Sequence, residues 1–326
     1  MRRWHVLLVV LLAAACATPR VQQVGPRVET PRLEDAAFVT ADGARLAAQS
    51  WQAATPTAII VGLHGMNDYA RNFSMPAPYW VEQGISVFAY DQRGFGRSPE
   101  PGIWPGTETL ADDAAAFIAA VRARHPGIPL YVMGDSMGGA VALTLFARAD
   151  APHVDGLILV APAVWGWKAL NPFYKTVLWV AAHTFPGMTL TGSNLEIRPT
   201  DNIELLRELF EDPLMIKATR TDAVYGLVTL MDAGYESAEE VEVPTLVLYG
   251  EKDQVIPREP VETVIEKLNG KTRTVVYESG YHMLLRDLQA ENVWRDIVAW
   301  IDDPIAALPS GEEKTTALRT ARTSAD

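Results

Sequence analysis

The chain has 326 residues, 48% of them apolar and 21% charged, which is enough to bury one large core or two modest ones and excludes a disordered or fibrous protein. Twenty-eight Lys and Arg against 40 Asp and Glu leave a formal charge of −12, which repels nucleic acid and anionic membrane surfaces and suits a neutral small substrate. Cys16 is the only cysteine, so an internal disulfide and a cysteine-rich metal cluster are both excluded.

Residues 1–16, MRRWHVLLVVLLAAAC, have the layout of a signal peptide: Arg2 and Arg3, an apolar run from Val6 to Leu12, then the small residues Ala13 to Ala15. The run is about half of the ~20 residues that a bilayer-spanning helix needs, which disfavours a retained anchor. Small residues followed at once by Cys16 resemble the bacterial lipobox, although Ala13 stands where that motif usually has Leu. The resemblance implies a signal peptide over 1–15 and lipidation of Cys16 as the mature N-terminus, with an ordinary cleaved signal as the alternative. It places the protein in the bacterial cell envelope, membrane-bound through its N-terminal lipid. Ala17, in place of Asp, implies the outer membrane facing the periplasm. Residues 17–33 carry three prolines and no apolar period, which predicts a flexible tether behind Cys16.

A globular domain is expected over 34–303. Residues 38–51, with the Asp42-Gly43 turn, read as an antiparallel hairpin. Short β-branched runs follow at 58–63, 85–90, 129–134, 156–162, 244–250 and 273–278, separated by longer segments of helical period. That alternation predicts an α/β fold with a mostly parallel central sheet covered by helices on both faces. About eighty residues separate the runs at 156–162 and 244–250, far more than one crossover helix requires, so 163–235 reads as a helical cap insertion over the site. The stretch 304–326 is polar and aperiodic and reads as a disordered tail.

Ligands in such folds bind beyond the carboxyl ends of the strands, and the chemistry-bearing residues gather there. The motif GDSMGG at 134–139 follows a strand and opens a helix, the setting a G-x-S-x-G elbow needs to present Ser136 as a nucleophile. A serine hydroxyl is weak without a base, and of the six histidines His282 is the one that follows the last strand. Asp253, just past the run at 244–250, lies where a carboxylate could orient that imidazole. Two backbone N–H groups, of Met66 after the first central strand and of Met137 after the serine, would form the oxyanion hole. His64 reads as a brace for the Met66 loop. Asp91 in DQRGFGRS reads as a turn-closing carboxylate with Arg93 and Arg97 as partners.

With LHGM, YDQRGFGRS, GDSMGG, GEKDQVIP and SGYHMLL in this order, residues 38–301 resemble the monoacylglycerol lipase and lysophospholipase group of α/β-hydrolases, and FEDPLMI at 210–216 resembles a turn in the cap of that group. Asp135 departs from the His usual before the nucleophile. The resemblance implies ester hydrolysis through an acyl-enzyme on Ser136, with no metal or cofactor and a small lipid ester as partner. It also makes Trp165, Trp167, Phe173 and Trp179 of the cap candidates to line an acyl channel. The same triad could serve a thioesterase or a proline-type aminopeptidase, and a non-catalytic envelope lipoprotein that binds a partner is the reading from outside enzymology.

Overall fold

A computed structural model describes residues 17–192 and 196–314, so the expectations for the signal segment, Cys16 and the last twelve residues fall outside the described part. The strands are β1 Arg32–Leu33, β2 Ala37–Val39, β3 Arg45–Trp51, β4 Ala58–Leu63, β5 Ile85–Tyr90, β6 Leu130–Asp135, β7 Gly156–Val160, β8 Thr189–Leu190, β9 Thr219–Arg220, β10 Thr245–Gly250 and β11 Thr272–Tyr277. The helices are α1 Ala77–Glu82, α2 Thr107–Arg124, α3 Met137–Phe146, α4 Pro172–Thr184, α5 Ile203–Glu211, α6 Thr221–Glu236, α7 Arg258–Lys267 and α8 Ala290–Asp302.

Nine of these strands form one sheet in the order β1-β2-β3-β5-β4-β6-β7-β10-β11. The six from β5 to β11 run parallel, and β1 to β3 add an antiparallel edge. Because side chains alternate along a strand, Ile59, Val61 and Leu63 of β4 enter one core with α2, α3 and α6, while Ala58 and Ile60 enter the other with α1 and α8. Strands covered on both faces must be apolar throughout, and β4, β5, β6, β7 and β10 are buried along their whole length.

Between β7 and β10 the chain leaves the sheet and builds the cap from α4, α5, α6 and the two-stranded β8-β9 ribbon. Polar contacts sew the cap to the core. Asp212, at the end of α5, accepts from the Tyr69 hydroxyl at 2.7 Å and from Arg71 at 2.6 Å, while its other oxygen closes its own turn through the Leu214 amide.

Residues 17–33 are not a free tether. Val21 forms a parallel bridge with Trp104, and the Arg20 amide donates to Asp222 of α6 at 3.1 Å. The Gln22 side chain, 6% exposed, donates to the carbonyls of Pro99, Glu100 and Ile103. Sequence periodicity reports only buried apolar faces, whereas this strap is held by its backbone, by the Gln22 amide and by the ion pairs of Arg20 with Glu100 and Arg27 with Asp112, which leave no periodic trace. The tail expectation needs a similar correction. Within 304–314, Leu308 is buried, Arg273 pairs with Glu313 at 2.6 Å, and Val275 bridges Glu313 antiparallel, so this segment covers the outer edge of β11.

Candidate active site

The carboxyl ends of β4, β6, β10 and β11 share one edge of the parallel array, and each leads into a site loop. β6 ends at Asp135, and Ser136 then turns the chain sharply into α3 with φ +52°, a conformation rare for a residue bearing a side chain. The turn is this tight because Gly138 lies against β4: a Cβ there would approach the Leu63 carbonyl oxygen to 2.0 Å. A second close approach joins the Asp253 and His282 loops, since a Cβ at Gly250 would come within 2.4 Å of the Tyr281 carbonyl oxygen.

The structure brings Ser136, His282 and Asp253 into one chain of hydrogen bonds. Ser136 Oγ lies 3.0 Å from His282 Nε2, and His282 Nδ1 lies 2.8 Å from Asp253 Oδ2. The Asp253 side chain is fully buried, and its other oxygen accepts from the amides of Val255 at 2.7 Å and Ile256 at 2.9 Å, which locks the carboxylate plane. Burial works against a charged imidazole at His282. The hydrogen bond and charge of Asp253, followed by the charge of Asp135, overcome it and raise the group above its ordinary value.

Met137 is the first residue of α3, where backbone N–H groups have no intrahelical acceptor and point outward beside Ser136. Met66 lies in the loop that approaches the serine from the other side, since a Cβ at Gly65 would stand 3.3 Å from Ser136 Cβ. His64 is fully buried and braces that loop. Its Nδ1 bonds the Gly65 carbonyl at 2.8 Å, so its Nε2 accepts from the Gln92 amide at 2.9 Å, and burial lowers its pKa.

Asp91 closes its turn through backbone amides, those of Ala70 and Arg97, and not through the two guanidinium groups expected. Arg93 instead lies between Asp42 and Asp113. Arg93 finds two buried carboxylates there, while each Asp91 oxygen already holds a main-chain donor.

Two of the four cap aromatics are turned to solvent. Phe173 and Trp179 are 69% and 52% exposed, and Trp179 lines an open cleft of about 470 Å³ together with Trp167 and Tyr225. Trp165 packs against the main core. The space next to Met66 is instead lined by Asn67, Phe95, Ile103, Trp104, Ile216 and Thr219 and amounts to about 10 Å³. The aromatic content of α4 was visible in the sequence, but which way the helix turns its faces depends on what packs beneath it.

Sequence reasoning also missed the residues that hold the His282 loop. Asp287 accepts from the Tyr281 amide at 2.7 Å and from Thr200 of the cap at 2.6 Å, and Arg286 pairs with Asp68 at 2.6 Å. Arg286 and Asp287, four and five residues past His282, carried a signal only as charges inside an apolar run.

A serine elbow, a histidine loop and an aspartate loop on the carboxyl edge of a mostly parallel sheet define the class: this is an α/β hydrolase. The chain belongs to the serine aminopeptidase S33 family, whose model matches residues 54–289. It is 27% identical over 300 residues to the monoglyceride lipase of Homo sapiens, covering 88% of this chain and 95% of that one. To the monoacylglycerol lipase of Mycolicibacterium smegmatis it is 25% identical over 271 residues, covering 81% and 95%. It shares its fold with a soluble variant of monoglyceride lipase from Saccharomyces cerevisiae solved with a substrate analog, at a TM-score of 0.71 and 17% identity, covering 88% of this chain and 98% of that one.

Proposed function

We propose that the protein is a serine carboxylic-ester hydrolase that cleaves monoacylglycerol-like esters through an acyl-enzyme. The observation that carries this reading is the unbroken hydrogen-bond chain from Asp253 through His282 to Ser136. His282 takes the Ser136 proton as Oγ attacks the ester carbonyl, and Asp253 stabilises the imidazolium without taking the proton. The amides of Met66 and Met137 receive the negative charge that develops on the carbonyl oxygen. The imidazolium then gives its proton to the leaving alcohol, and water repeats the sequence in reverse to release the fatty acid. The space beside Met66, about 10 Å³, is too small to hold an acyl chain.

The family's name favours a second reading, an aminopeptidase acting on prolyl amides, and one comparison separates the two. Hydrolysis of a medium-chain monoacylglycerol, a short p-nitrophenyl ester and a proline p-nitroanilide is measured for the chain from Ala17 onward, with Ser136→Ala as control. Ser136-dependent turnover of both esters with little of the anilide is expected. Preference for the anilide would sink the lipase reading, and no Ser136-dependent turnover at all would favour a binding protein.

We further propose that Cys16 carries a lipid that holds the enzyme at the cell envelope, beside its substrate. Support comes from the sequence of residues 1–16 alone. Labelling with a radioactive fatty acid in a bacterial host is expected to mark the full chain and to be lost in Cys16→Ala; label retained in that variant, or never acquired, rules it out.

A further inference from the structure

Around the triad lies a group of buried charges that the mechanism above leaves unused. Asp135 ends β6 directly before Ser136 and is 7% exposed, and its Oδ2 accepts a hydrogen bond from Asn72 Nδ2 at 2.9 Å. Arg286, on the loop that carries His282, is bonded at 2.6 Å to Asp68, and both are buried. Among the described residues Asp135 itself enters no ion pair, so it is a buried carboxylate held by one neutral amide. A charge so placed is costly, and burial pushes its pKa up to about 6, against the pull of Arg286, His282 and the Asn72 bond.

The charged groups that act on His282 come from three elements: Asp253, bonded to it, from the loop after β10, Asp135 from β6, and Arg286 and Asp287 from its own loop. Asp68 acts on Asp135 from the loop after β4, and the nearby His64 is buried with both ring nitrogens bonded. Arg286 opposes a positive imidazole, while Asp135 favours one.

We propose that Asp135 is a positioning residue for the triad: its carboxylate, held by Asn72 behind the serine turn, gives the His282 imidazolium a second buried counter-charge in addition to Asp253. This rests on the triad reading under Proposed function. The proton still moves from Ser136 Oγ to His282 Nε2 and on to the leaving alcohol, and Asp135 takes no part in its transfer. It matters only while the imidazole is positive, which is during bond making and breaking, so it acts on kcat and not on substrate binding. A residue that merely fastened Asn72 would be replaced silently by Asn, which keeps an oxygen acceptor in the same place.

Asp135→Asn provides the test. In the whole protein labelled with ¹³C-histidine, the His282 signal, identified by its loss in His282→Asn, is titrated by NMR. The imidazole pKa is expected to fall by about one unit, the size of effect a buried opposite charge exerts. In parallel, the acid limb of kcat/KM for a short p-nitrophenyl ester moves to lower pH by the same amount, and the plateau kcat falls about three- to tenfold with KM unchanged. An unmoved His282 titration overturns the proposal, as does a loss confined to KM. Asp135→Ser, smaller and also uncharged, reads the same shift should the Asn variant misfold. Turnover that survives Ser136→Ala is the separate signature by which the triad reading itself fails, and the titration reports on the charge of Asp135 in either case.

Discussion

Replacing Asp253 with Asn is expected to lower kcat by about 10⁴-fold while the folded structure is retained. Asp253 uses one oxygen to accept from the amides of Val255 and Ile256 and the other to accept from His282 Nδ1. An Asn in this place keeps its single oxygen on the two backbone donors, so its NH₂ faces the imidazole. Nδ1 must then become an acceptor, Nε2 carries the proton, and a protonated Nε2 cannot take another from Ser136. Steady-state kinetics on a short p-nitrophenyl ester, with circular dichroism as the control for folding, reads the effect. A loss of less than tenfold would mean that another group orients the ring. The sign of the pH dependence follows from the same contacts. His282 is raised above its ordinary value and works as a base only when neutral, so wild-type activity falls as pH drops through a value above that of free histidine.

Arg93→Ala should cost about 3–5 kcal/mol of stability, with little effect on the chemistry of the serine, because it strips two buried carboxylates of their shared counter-ion. The guanidinium lies 3.0 Å from Asp42 and 2.9 Å from Asp113, and all three side chains are less than a tenth exposed. It thereby ties the hairpin turn between β2 and β3 to the first turns of α2, across a loop that itself runs against the strap at residues 99–104. Urea unfolding followed by tryptophan fluorescence measures the cost. The pH dependence has a definite direction. Asp42 is held well below its ordinary value, burial notwithstanding, chiefly by its bonds to Arg93 and Thr40, so its contribution to wild-type stability is complete above about pH 4 and fades below it. The gap between wild type and variant should therefore narrow in acid. A gap that stayed constant from pH 7 to pH 3, or a cost below 1 kcal/mol, would show that the carboxylates find other partners.

Much of the architecture was legible because a buried parallel strand must be apolar over its full length. The runs at 58–63 and 85–90 coincide with β4 and β5, and the others differ from β6, β7, β10 and β11 by no more than two residues at either end. The Asp42-Gly43 turn was legible for a local reason, since a tight hairpin needs positive φ and Gly43 has +78°. The positions of Ser136, Asp253 and His282 were legible because strand ends in such a sheet share one edge, so being next to a strand in sequence means being next to the site in space. The strap at 17–33 and the segment 304–314 were misread because neither contributes a periodic apolar face. Composition cannot tell a docked polar segment from a free one.

What the sequence determined by itself, then, was the periodic part: the strands, the helices between them, the cap as an over-long crossover, and the places of Ser136, Asp253 and His282 just past strand ends. These follow from local sterics and from the repeat of apolar residues, each written within a few positions of where it acts. Only the tertiary structure decided that Arg93 turns to Asp42 and Asp113 and leaves Asp91 to backbone amides, that Phe173 and Trp179 of the cap face outward, that Asp135 takes Asn72 and that Asp68 takes Arg286. Charges and hydrogen bonds choose partners by distance in space, and residues 218 positions apart, such as Asp68 and Arg286, leave no mark on one another's neighbourhood in the chain.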